Sequence, residues 1–143
     1  SEEEEKWDPE TRETADHNMP YCIARTFLDG EMTLDQFAPD KIKGEEVREL
    51  MDKMTIVENE DYTEVYGEAF PHKMVVETEG ETYERELEYP KGHPGNPLTE
   101  EELEDKFREC AEDSLGEDGA GDALNWMLNV EEKDDASEIF EYV

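Results

Sequence analysis

The sequence predicts an α+β fold, a two-layer sandwich in which a small, mostly antiparallel sheet packs against helices. Three observations carry that expectation. Apolar residues recur at helical spacing within 18–29, 45–54 and 98–111. Between the second and third of these runs the period drops to two, over 72–77 and 82–89, with Glu79-Gly80 as a hairpin turn. The chain has 143 residues, 34% of them apolar, which suffices for one core and not for two.

Each element follows in order. Residues 1–13 are charged and read as an acidic flexible lead-in, with Trp7 able to dock on a body expected over 14–143. A first helix runs from about Asn18 to Asp29. Asn18 is a fit N-cap, Pro20 is tolerated in the first turn, and Gly30 can take the left-handed position after the last turn. Tyr21, Ala24 and Leu28, flanked by Phe27, mark its inward face. Thr33 and Gln36 have capping-box spacing and open a short turn with Leu34 and Phe37 inward.

A second helix spans roughly Glu45 to Lys53, with Val47, Leu50, Met51 and Met54 as its apolar stripe. Glu45 and Glu46 match the positive end of its dipole and Lys53 the negative end. Thr55–Glu58 reads as a strand, followed by strands over 72–77 and 82–89. On the last, Tyr83, Leu87 and Tyr89 face one way and Glu84, Glu86 and Glu88 the other. The breaker-rich stretch 89–97 is a loop. Thr99 and Glu102 form a second capping box, with Leu98 and Leu103 as a staple. Leu103, Phe107, Cys110 and Ala111 are the expected buried stripe of the helix that follows. Gly116–Gly121 should break the chain. Leu124, Met127 and Leu128 suggest another helix, and 135–142 a last short one.

Charge narrows the function classes. There are 44 Asp and Glu against 13 Lys and Arg, a formal charge of -31. Such a polyanion repels nucleic acid and anionic membrane alike, so neither is an expected partner. Composition of this kind also occurs in disordered chains, but the apolar periodicities oppose that reading. Adaptation to concentrated salt accounts for it better. At 1 M ionic strength the Debye length is about 3 Å, and neighbouring carboxylates then repel little. A mimic of nucleic acid that binds basic proteins is the other reading of the same charge.

Cys22 and Cys110 fall on apolar helix faces and are expected as buried thiols, not as a disulfide or zinc framework. No apolar run approaches the ~18 residues of a membrane span, and the acidic start is unlike a secretory signal. A cytoplasmic chain is the expectation.

Few motifs carry chemistry. Residues 113–124 resemble a calcium loop only in outline: Leu115, Asp118 and Leu124 occupy positions that need a ligand, a glycine and a bidentate Glu. His17, His72 and His93 are far apart in sequence, and no metal or cofactor is expected. Lys91 and His93 could meet an anion in a flexible loop, but a plain surface turn is the stronger reading. His17 and Tyr21 are four apart and would share a face if the helix began early enough. On residue types alone, a His near an N-cap and a Tyr with a satisfied hydroxyl are the stronger reading.

The segment Thr14-Ala-Asp-His-Asn-Met-Pro-Tyr-Cys-Ile-Ala-Arg-Thr-Phe-Leu-Asp-Gly30 resembles a His-Ser-x-x-Tyr…Leu-Leu-Asp-Gly segment of the MmgE/PrpD family. Val47–Met54, Tyr89–Leu98 with Glu102–Arg108, and Leu128–Ser137 are similar to later segments of that family, in the same order. This family includes 2-methylcitrate dehydratase and cis-aconitate decarboxylase. The resemblance implies the small α+β lid of an enzyme that removes water, carbon dioxide or a proton next to a carboxylate, without metal. It implies Tyr21 as a catalytic residue that reaches a di- or tricarboxylate substrate, with His17 a weaker candidate because Asn18 stands where Ser is common. The partner so implied is a large helical domain, whose catalytic groups this chain lacks. The isolated chain is expected to be inactive. Self-association stays open, and a non-catalytic binding or assembly module that kept the fold is the alternative.

Overall fold

The computed structural model describes residues 7–142; the Glu2–Glu5 run and the rest of 1–6 lie outside the described residues. The chain is α+β: several helices and one two-stranded antiparallel sheet. It divides into two compact units, Ser1–Asn59 and Glu60–Val143.

The first unit is helical: α1 (Arg12–Asp16), α2 (Met19–Asp29), a 3-10 turn (Leu34–Phe37), α3 (Pro39–Ile42) and α4 (Glu45–Met51). The α2 boundaries follow from local chemistry. The Asn18 side chain accepts the Tyr21 N–H, Pro20 sits in the first turn, and Gly30 ends the helix at φ 82°. Thr11 and Thr14 cap α1, and Thr33 and Gln36 cap the 3-10 turn, each pair reciprocally. Ala15, Tyr21, Ala24, Ile42, Val47 and Met51 are fully buried together. Trp7 packs against this cluster and Pro9 is buried. An ion pair between Asp8 and Arg48, and a 3.3 Å bond from Arg48 to the Pro9 carbonyl, tie that stretch to α4.

Three expectations in this unit need correction, the first being Leu34, expected inward on the 3-10 turn and in fact exposed. Phe27 and Leu28 are exposed, and Arg25 takes their place inside α2, because it has two carboxylates to pair with there. Thr55–Glu58 is not a strand: it has no ladder partner, and Ile56 and Val57 stay exposed.

The second unit opens with α5 (Glu60–Glu64), then β1 (His72–Glu77) and β2 (Thr82–Leu87). These strands pair antiparallel with Met74 opposite Arg85 and Val76 opposite Tyr83. The turn is closed by the Thr78 N–H donating to the Glu81 carbonyl at 2.9 Å. Nearly every strand residue is exposed, on both faces. The long helix α6 (Glu100–Leu128) starts at the Thr99/Glu102 capping box. Gly116, at φ 72° and ψ 167°, is non-helical and divides α6 into two runs across a kink. The expected break falls there, and the helix expected around Leu124 is the second run. The expected stripe is not its buried face: Leu103 and Cys110 are exposed. Burial begins after the kink, at Ala120, Ala123, Leu124 and Trp126, where the 3-10 segment Ala136–Glu141 packs alongside. No helix among the described residues is long and apolar enough to cross a membrane.

Candidate functional site

The chemistry of the first unit gathers on one face of α2. Tyr21 is fully buried, its ring centroid 6.1 Å from that of Phe37. Its hydroxyl donates to the main-chain carbonyl of Gln36. Burial pushes the phenol pKa up from its ordinary value, against the opposing pull of the Arg25 cation. The group is therefore a neutral phenol at pH 7, a donor and not a base.

Gln36 is itself buried, with both ends of its amide bonded. Its amide oxygen accepts the Thr33 N–H at 2.8 Å and the Thr33 hydroxyl at 2.7 Å, and its amide nitrogen donates to Asp29 at 3.1 Å. Asp29 also takes Arg25 at 2.5 Å and Lys41 at 2.9 Å. Lys41 first, then Arg25 and Gln36, hold this carboxyl well below the usual carboxylate range. Arg25 reaches Glu46 on α4 with its other terminal nitrogen, 3.1 Å away. Burial alone would lower the guanidinium pKa, but its bonds to Asp29 and Glu46 outweigh that and raise it. Its Nε is buried with no hydrogen-bond partner.

His17 lies elsewhere. It is the C-cap of α1, before the Asn18 that caps α2, so the shared helical face does not form. Its ring is open to solvent and bonded to the Asp16 carboxylate, which raises its pKa. The structure thus puts Tyr21 inside the core and His17 outside it. In the second unit, Lys91 pairs with Glu102 at 2.7 Å. His93 stacks on Tyr89 at 4.7 Å and accepts the Gly95 N–H at 3.0 Å, so this loop is folded on itself. Among the described residues no group of three or more His, Cys, Asp or Glu is placed to hold a metal ion.

Arg25 and Lys41 were not singled out from the sequence, and Gln36 and Glu46 were read only as residues of helix starts. The one local signal was Arg25 and Asp29 at helical i,i+4 spacing. The rest of the cluster is brought together by the turn after α2.

A family model described as the MmgE/PrpD C-terminal domain matches residues 2–132. A cis-aconitate decarboxylase-like protein of Aspergillus oryzae is 30% identical over 138 residues, 93% of this chain and 28% of its own length. The human cis-aconitate decarboxylase is 28% identical over 129 residues, 90% of this chain and 27% of its own length. The mouse enzyme of that name is 25% identical over 129 residues, 90% of this chain and 26% of its own length. The chain therefore spans just over a quarter of each of these relatives.

Proposed function

Because the chain belongs to the MmgE/PrpD family, as its C-terminal domain, we propose that it covers a di- or tricarboxylate substrate held by a separate helical domain. The reaction is loss of water or carbon dioxide next to a carboxylate. The observation that carries this is the match over residues 2–132, beside relatives named as cis-aconitate decarboxylases. Tyr21 is the proposed contributor. A phenol kept protonated by burial can donate a hydrogen bond to the charge that develops on a substrate carboxylate or enolate. To do so it must exchange the Gln36 carbonyl for a substrate oxygen. His17, solvent-facing and paired with Asp16, is the weaker contributor.

The test supplies a helical-domain partner and follows both 2-methylcitrate dehydration and cis-aconitate decarboxylation. Turnover with the partner and silence without it is the expected outcome. Turnover by the chain alone would overturn the proposal.

One observation favours a second reading. Tyr21 is fully buried and its hydroxyl is already satisfied inside the unit. A non-catalytic binding or assembly module would keep that bond for stability alone. It would bind the helical domain yet yield no turnover in either assay.

A salt-adapted, soluble surface is also proposed, on the formal charge of -31. Stability should rise with KCl concentration; equal stability in dilute buffer and molar salt would remove this reading.

A further inference from the structure

We propose that ionic strength controls the folding of residues 60–142 separately from that of residues 7–59. On dilution the second unit melts while the first keeps its core. This rests on the salt-adapted reading above and adds where in the chain the salt acts.

Charge is divided unevenly. Residues 60–143 carry 27 Asp and Glu against 6 Lys and Arg; residues 1–59 carry 17 against 7. The first unit sets a buried cation, Arg25, against the largely buried carboxylate of Asp29, with further pairs nearer the surface. Arg25 and Lys41 meet Asp29, Arg25 meets Glu46, and Arg48 meets Asp8. Behind them lie Tyr21, Ile42, Val47 and Met51, all fully buried.

Among its described residues the second unit shows no ion pair built on a buried charge and a smaller buried apolar set. Its ion pairs, Lys73–Glu84, Lys91–Glu102 and Arg108–Glu112, all join partly exposed side chains. Its buried apolar residues are Ala69, Ala120, Ala123, Leu124 and Trp126. Its hairpin is exposed on both faces, and a two-stranded hairpin is marginal in water without a packed face. The first half of α6 carries Glu101, Asp105, Glu109 and Asp113 as one exposed stripe of like charges, each four residues from the next. Like charges at this spacing oppose the helix. Neighbours at this spacing have Cβ atoms about 5–6 Å apart. That is inside the Debye length of about 10 Å at 0.1 M salt and outside the length of about 3 Å at 1 M. Salt therefore removes the repulsion along α6. The Arg25 and Lys41 pairs to Asp29, whose carboxylate is largely buried, are screened much less and persist.

The experiment is hydrogen exchange read segment by segment on the whole chain, from dilute to several-molar KCl. Protection of hairpin and α6 amides should fall about tenfold or more on dilution, and that of α2 and α4 amides less than about threefold. A second protein carrying Glu101→Gln, Asp105→Asn, Glu109→Gln and Asp113→Asn should need less KCl to protect α6, with α2 and α4 unmoved. Loss of protection in both units together would overturn the proposal while leaving salt adaptation standing. No loss in either unit would overturn both. An unprotected α6 at every KCl concentration would overturn the proposal. So would an unchanged KCl requirement in the neutralised protein, since salt would then act by salting-out and not by screening.

Discussion

The Tyr21 hydroxyl donates to the main-chain carbonyl of Gln36, fifteen residues further along the chain. This bond joins the first turn of helix α2 to the 3-10 turn that follows it. It gives the residue with the best claim to chemistry a structural duty as well. From the sequence, replacing Tyr21 by Phe would be expected to leave folding nearly intact. The buried bond changes that expectation.

Tyr21→Phe keeps the ring against Phe37 and leaves the Gln36 carbonyl without its donor. An unsatisfied buried polar group costs about 1–3 kcal/mol, so denaturant unfolding of the first unit should be weakened by that amount. In the complete enzyme, kcat/KM should also fall at temperatures where the variant is fully folded. A folded variant with unchanged kcat/KM would confine Tyr21 to the structural duty.

Arg25 bridges Asp29 on its own helix and Glu46 on α4. Arg25→Lys keeps the charge but cannot reach both carboxylates with one ammonium. Loss of one charged hydrogen bond costs about 1.5–3 kcal/mol. The loss should appear as earlier thermal unfolding of the first unit. Unchanged unfolding would mean that the α2–α4 bridge contributes nothing.

Gly30 takes φ 82° and has nothing within 4 Å of where a Cβ would stand. Gly30→Ala therefore meets no clash, only the left-handed backbone penalty of about 1–2 kcal/mol. Gly30→Asn should lose less, because Asn tolerates that region better. Comparing the two variants by chemical denaturation checks the order.

Glu102 closes the capping box of α6 by accepting the Thr99 N–H at 2.7 Å, and it pairs with Lys91. Lys91, then that main-chain N–H, bring its pKa down to about 2. A carboxyl depressed in the folded state stabilises it above the unfolded pKa of about 4.3, and that contribution is lost as pH falls toward 2. Glu102→Gln keeps an acceptor but removes the charge. The stability gap between parent and variant should be full at neutral pH and close between those two values. A gap independent of pH would show that the charge is not what holds the cap.

Much of the fold was legible because its signals are local. Asn18 and Gly30 bound α2, Thr33 and Thr99 cap with the residue three further on, and Glu79-Gly80 lies in the turn of the hairpin. Each partner is within a few residues, so the spacing alone predicts the bond. The family resemblance was legible in the same way, as short segments in order, and the match over residues 2–132 agrees with it. Burial was less legible. Leu28, Leu103 and Cys110 have the periodicity of core residues, yet they are exposed. Periodicity shows that a face exists; it does not show that anything lies against it.

By itself, then, the sequence determined the elements bounded by local caps and turns, the family and the excess of negative charge. The tertiary structure decided that Arg25 is inside and that Asp29 collects Lys41 and Gln36. The reason is one of range. Capping and turn chemistry act over three or four residues. The Tyr21–Gln36 and Arg25–Glu46 contacts span fifteen and twenty-one residues, and they exist only once the chain has turned back on α2.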